Sequence, residues 1–236
     1  MSLAGEKLAV VSIGSSCQTA YQVRHHADLL SRLSGDELKP RRLPFDWVIC
    51  GPSKAAAWID SGSPFPTDAD DLAPYEHEGV FHWRKRSVFF WHDFRNEQKL
   101  VDLPGTFLST QTKYRALWDA FRRLSQMDRV VAVISNVQNN LPKVLGDDFR
   151  SDRFSFTADD IGQVKASLDR LLGRPCELLG VTYRERSEAD LAAAVPGGIR
   201  MYTIEQNTAG WAGDDGAWQD IFLDYFSPEH RPADGG

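Results

Sequence analysis

Cys17 follows Gly14-Ser15-Ser16 directly and opens the segment CQTAYQVRHHADLL. A thiol in the first turn of a helix has free backbone N–H groups and the positive end of the helix dipole beside it, and both favour a thiolate. Such a thiolate attacks a carbonyl carbon while N–H groups of the same turn hold the developing oxyanion. The position equally suits an ordinary small buried residue, because free cysteine is among the most buried types. Cys50 ends one apolar run and Cys176 begins another; both read as core.

A thiol nucleophile needs a base, and the chain has six histidines. His25 and His26 lie two turns into the first helix and read as surface residues, and His230 sits in a Pro-containing tail. His92 ends the run SVFFW and precedes Asp93. A histidine leaving a strand end beside a carboxylate suits a base held in one tautomer, with Asp46 or Asp93 as the orienting group. The alternative is a hydrogen-bonded structural histidine. Asn136, Asn139 and Asn140 follow the run RVVAVIS and can support an oxyanion or a histidine, or form ordinary turns. Tyr183, Arg184 and Arg186 can receive a carboxylate or phosphate, or lie in a solvated loop. Gly14-Ser15-Ser16 also resembles an anion cradle at a helix N-terminus. No glycine-rich dinucleotide or P-loop motif accompanies it, so a nucleotide is not the expected ligand. No metal-ligand spacing is visible either, so neither a dedicated metal site nor a cofactor is expected. Trp47, Trp83, Trp91 and Trp211 can form a sugar-stacking wall or fill the core.

These residues must be positioned by regular elements. Leu8–Ile13 reads as a buried strand, Gly14 can take a positive φ, and Ser15 or Ser16 can cap the helix through its hydroxyl. Ala20, Val23, Ala27 and Leu30 share one helical face, which predicts a helix continuing to Leu30. Leu43–Cys50 (LPFDWVIC) reads as a short extended segment, followed by a helix capped by Ser53 and ending at Ser61. Residues 63–78 read as a long loop and a candidate lid. GVFHW and SVFFWHDF suggest a hairpin. A helix from Thr110, the buried strand Arg129–Ser135, a helix over Asp159–Leu172 and a strand over Cys176–Tyr183 follow. A short helix over Ser187–Val195, a strand over Ile199–Glu205 and a helix over Asp215–Phe226 complete the pattern. This alternation predicts an α/β layered domain over residues 1–228, with a mainly parallel sheet flanked by helices, a small aromatic hairpin insertion, and a flexible tail over 229–236. Sites in such sheets form outside the carboxyl ends of the strands, which gathers Gly14–Cys17, Asn136, Tyr183–Arg186 and Glu205–Asn207 along one edge.

Composition bounds the function. Of 236 residues, 42% are hydrophobic and 25% charged, as in an ordinary globular protein. The net charge of −6 disfavours a general nucleic-acid binder. Three widely spaced cysteines without a CxxC pair make no disulfide framework. The opening MSLAGEKLAV lacks the basic and apolar regions of a signal peptide, and no apolar run is long enough to span a bilayer. The expectation is a cytoplasmic protein with free thiols and no membrane partner.

Three separated pieces, SIGSSCQTAYQVR, LPFDWV and FFWHDF, resemble the DUF1796 family of uncharacterised bacterial proteins labelled papain-like cysteine peptidases. The resemblance implies Cys17 as nucleophile, His92 as base, and Phe45, Asp46, Trp47, Asp93 and Phe94 as pocket residues; Asn136 or a neighbour would take the third catalytic position. It also implies a papain-like α+β fold, whereas the chain's own pattern is closer to a hydrolase with a strand–nucleophile–helix turn. Two function classes stand: a cysteine-dependent hydrolase or acyltransferase acting on a small-molecule, glycan or peptide substrate, and a non-catalytic module binding an anionic or sugar ligand at the same turn. The tryptophans keep a carbohydrate-processing transferase as a third.

Overall fold

A computed structural model describes residues 7–35, 37–75, 79–145, 154–206 and 210–227. Strand β1 (Leu8–Ser12) runs through the Gly14 turn, where φ is 88°, into helix α1 (Cys17–His25). The helix does not continue to Leu30. It breaks at His26, which ends α1 and starts α2 (Ala27–Ser34). The break turns the His26 ring inward against Phe222, with centroids 5.5 Å apart, and leaves the residue 7% exposed.

The LPFDWVIC segment is mostly a turn. Pro44 has no N–H to give a ladder, and Asp46 Oδ2 accepts the Leu43 N–H at 2.9 Å, so only β2 (Val48–Ile49) is extended. Helix α3 (Pro52–Ser61) starts on Pro52 with Gly51, not Ser53, at the cap position; proline's fixed φ suits the first helical residue. The expected loop over 63–78 contains a 3-10 turn at 69–71 and a strand, β3 (Leu72–Pro74). Buried Phe65, Leu72 and Ala73 anchor this region, and Lys85 pairs with Asp71 at 2.5 Å. The lid expectation at Glu76–Glu78 lies outside the described residues. Strands β4 (Phe81–Trp83) and β5 (Val88–Phe90) form the expected hairpin. The hairpin is part of a four-stranded antiparallel sheet ordered β2-β5-β4-β3, larger than the insertion its sequence suggests.

Helix α4 (Leu103–Arg122) begins before Thr110, where Asp102 accepts the Gly105 N–H at 2.9 Å. Strand β6 (Arg129–Ser135), the short helix α5 (Leu141–Leu145), helix α6 (Ala158–Leu172) and strand β7 (Glu177–Tyr183) follow. The helix expected over Ser187–Val195 shrinks to α7 (Leu191–Ala194), because Ser187 bridges to Phe156 and Asp190 takes a left-handed φ of 57°. Strand β8 (Ile199–Ile204) and helix α8 (Asp215–Tyr225) complete the described chain.

The second sheet is wholly parallel, in the order β1-β6-β7-β8. Alternation along β6 splits its side chains between two layers. Val130, Ala132 and Ile134 face a core shared with α3, α4 and α6, while Val131 and Val133 face Trp218, Ile221 and Phe222 of α8. The protein is therefore an α/β layered fold with a helix-flanked parallel sheet and a second, aromatic sheet beside it. The two sheets meet where the Cys50 N–H donates to the Ser15 carbonyl at 3.2 Å. Among the described residues, no helix is long and apolar enough to cross a membrane.

Candidate functional site

The parallel ladder continues past its strands and assembles the carboxyl edge. Ile13 N–H donates to Val133, Ser135 N–H to Gly14, and Asn136 N–H to Val181, at 2.8, 3.3 and 3.2 Å. This brings Gly14–Cys17 beside the residues after β6, as the edge rule anticipates. Thr19 ties α1 down: its Oγ1 donates to the Gly14 carbonyl at 3.0 Å and lies 2.7 Å from Ser135 Oγ.

Cys17 is the first residue of α1, with Ser16 at the cap position. The Ser16 hydroxyl makes no capping hydrogen bond; the Oγ atoms of Ser15 and Ser16 are both buried without a partner among the described residues. The Cys17 Sγ donates to Gln138 Oε1 at 3.5 Å, and Gln138 Nε2 donates onward to Asn140 Oδ1 at 2.7 Å. Burial pushes the Cys17 thiol up to about 11, against the smaller opposing pull of the Cys17 and Gln18 N–H groups. The helix start alone favours a thiolate, but here desolvation is the larger effect. Cys50 and Cys176 are buried as well, each pushed up to about 12 chiefly by burial.

Asn136, fully buried, spans the loops that follow the central strands. Its Nδ2 donates to the carbonyls of Phe154 at 2.8 Å and Arg186 at 2.7 Å, and Oδ1 has no partner among the described residues. Arg186 returns the link by donating to the carbonyls of Asn136 at 2.5 Å and Gln138 at 2.9 Å. Tyr183 OH donates to Asn139 Oδ1 at 2.7 Å. Arg184 points away, pairing loosely with Glu205 at 3.6 Å; Asn207 lies outside the described residues.

Comparisons with protein-family models, curated proteins and solved structures found no match.

The remaining candidates form a second cluster two turns along α1. Arg24 bonds the buried Asp46 carboxylate, and its guanidinium carbon lies 5.2 Å from the centre of the Trp47 ring. His92 is exposed and meets Trp47 at right angles, with centroids 5.6 Å apart. Partial burial lowers its pKa below the ordinary 6.5, so the imidazole is mainly neutral at pH 7. Asp93 points the other way and is buried, bonding Lys113 and accepting from Tyr114 OH at 2.9 Å. It fastens the end of β5 to α4. His92 thus contacts Trp47, whose ring also meets Arg24, while the Cys17 thiol bonds Gln138; at about 1.5 Å per residue, Arg24 itself lies roughly 10 Å along α1 from Cys17. A separate cavity of about 360 Å³, lined by Leu8, Val23, Leu30, Leu38 and Met127 among others, opens near the start of β1. None of the sequence-derived site residues lines it.

The Asp46 environment makes a pH prediction. Burial raises its carboxyl from 3.8 to about 6, outweighing the pull of Arg24 and the Leu43 N–H. A carboxyl whose folded pKa exceeds its unfolded one favours the fold when protonated, so its contribution declines as pH rises from about 4 to about 6. Asp46→Asn is expected to flatten that stretch of the urea midpoint against pH. A slope equal to the wild type's would show that another group produces it.

Proposed function

We propose that the carboxyl edge of the parallel sheet binds a small anionic or sugar ligand without covalent attachment to Cys17. The supporting observation is the set of buried oxygens lacking partners among the described residues, Ser15 Oγ and Ser16 Oγ in the turn before α1 and Asn136 Oδ1 just past β6, at the same sheet edge as a thiol that burial keeps protonated. Buried polar atoms are almost always hydrogen-bonded, so the two serine hydroxyls, which can donate, suit an anionic or hydroxylated guest, while Asn136 Oδ1, which only accepts, suits a donor such as a sugar hydroxyl. The α1 N-terminus adds N–H groups suited to an anion. Cys17 and Gln138 are themselves buried, at 9% and 3% exposure, and the protonated thiol would serve as a contact group.

A second reading, the cysteine-dependent hydrolase or acyltransferase implied by the DUF1796 resemblance, draws support from the position of Cys17 at the helix start. It requires a thiolate and a base, with His92 the candidate and Asn136 its partner. Iodoacetamide separates the two readings. With its pKa moved from 9.0 to about 11, Cys17 is expected to react about a hundredfold more slowly at pH 7 than an unperturbed thiol. Fast labelling there, abolished by Cys17→Ser, overturns the binding reading in favour of the nucleophile. Inorganic phosphate and a monosaccharide, tested separately by thermal shift on wild type and Cys17→Ser, supply the binding arm. A rise in melting temperature shared by both forms supports non-covalent binding, and no rise with either probe overturns it.

A further inference from the structure

The sequence offers no spacing of metal ligands, yet the fold assembles a candidate set from the two ends of the chain. The break between α1 and α2 places the adjacent rings of His25 and His26 with centroids 4.9 Å apart and planes at 80°. The start of α8 brings Asp215 to them. One ligand atom from each of the three residues lies within 4.8 Å of the other two. We propose that His25, His26 and Asp215 bind a divalent transition-metal cation of the zinc class.

Three observations carry this. His25 Nε2 and Asp215 Oδ2 are 3.4 Å apart, long for a hydrogen bond. Two ligands of a tetrahedral zinc ion with bonds of 2.0–2.1 Å lie about 3.3 Å apart. His26 is only 7% exposed; its imidazole meets the Asp215 backbone, and its Nε2 has no side-chain hydrogen-bond partner among the described residues. An imidazole nitrogen buried without a partner is costly unless something fills its place. Finally, Gln22 Nε2 donates to Asp215 Oδ1 at 2.8 Å, which orients the carboxylate in the manner of an outer-shell group around a metal.

Imidazole and carboxylate donors suit zinc and its neighbours in the transition series rather than calcium or magnesium, which take all-oxygen shells. Three protein ligands leave one tetrahedral position for water or an incoming group. Exposed His25 and Asp215 can rotate to shorten the wider separations. A bound ion would join the α1–α2 junction to the start of α8. Gln22 also donates to the Ala212 carbonyl at 2.7 Å, and Gln18 to that of Trp211 at 3.0 Å, so the ion would reinforce the contact of the 210–213 turn with α1.

The test is equilibrium dialysis of the untagged, chelator-treated chain against Zn²⁺, with Co²⁺ as a spectroscopic substitute. One equivalent of zinc is expected to bind, and Co²⁺ to give the visible band of a four-coordinate centre that Zn²⁺ bleaches. His25→Ala and Asp215→Asn, both at exposed positions, are each expected to weaken binding at least about tenfold, with the fold checked by circular dichroism. Absence of stoichiometric uptake, or uptake unchanged in both folded variants, overturns the proposal.

Discussion

Asn136→Ala is expected to lower stability by about 2–3 kcal/mol, the loss of two buried hydrogen bonds plus a small void. The side chain links the carbonyls of Phe154 and Arg186. The Arg186 carbonyl retains the Phe156 N–H at 2.9 Å and Thr182 Oγ1 at 3.2 Å, so it is the less affected of the two. Asn136→Asp makes a sharper test, because the site demands a donor facing two carbonyl oxygens. An ionised carboxylate there would be buried against like partial charges, a cost of about 3–5 kcal/mol. The folded state would favour the protonated acid, so its pKa in the fold would lie above the unfolded 3.9 or so. Stability of Asn136→Asp should therefore approach that of the alanine variant near pH 4 and fall steadily as pH rises towards 7. Urea unfolding at both pH values measures this, and equal loss at both would show that the amide's donor role is unimportant.

That test bears on how much of the site the sequence discloses. The strand into Gly14, the positive φ there and Cys17 at the helix start are all legible, because each follows from local periodicity and turn chemistry. The β4–β5 hairpin and the continuous apolar run of β6 are legible for the same reason. What surrounds Cys17 is not. Its thiol partner, Gln138, lies 121 positions away and carries no local signal; the asparagines on either side of it attract attention because asparagine is a common turn residue and a plausible catalytic amide. Asp93 looks like a companion for His92 by adjacency. Both residues lie beyond the end of β5, where no strand fixes their directions, and Tyr114 and Lys113 on α4 claim the carboxylate. His26 misleads in the opposite sense: helical periodicity places it outward, and only the break after His25 lets it turn in to meet Phe222 and Asp215. The edge of a parallel sheet can be located from the order of elements, but its chemistry is decided by pairings between distant segments.

Trp58→Ala is expected to cost about 3–5 kcal/mol, towards the upper end of that range. Trp58 is 0% exposed, and its ring packs with Phe45, Trp118, Trp83 and Tyr114 at centroid separations of 4.8, 5.8, 6.1 and 6.4 Å. Its Nε1 donates to the Ser63 carbonyl at 2.8 Å. Truncation therefore removes an indole from an aromatic layer and deprives a carbonyl of its donor. Against a whole-domain stability of about 5–15 kcal/mol, this is a large fraction. Trp58→Phe separates the two contributions, since it keeps most of the ring volume and loses the N–H, for about 1–2 kcal/mol. The effect should reach the candidate site through Phe45, which also packs close to Gly14: a Cβ added at Gly14 would lie 3.8 Å from the Phe45 ring. The backbone bond from Cys50 to Ser15 crosses between the sheets at the same point. Hydrogen exchange at the Cys50 amide should therefore quicken in Trp58→Ala in step with the fall in the urea midpoint. If that amide keeps its protection while the midpoint drops, the Gly14–Cys17 turn is held by the parallel sheet alone, and the aromatic sheet is a separate layer with no hold on the site.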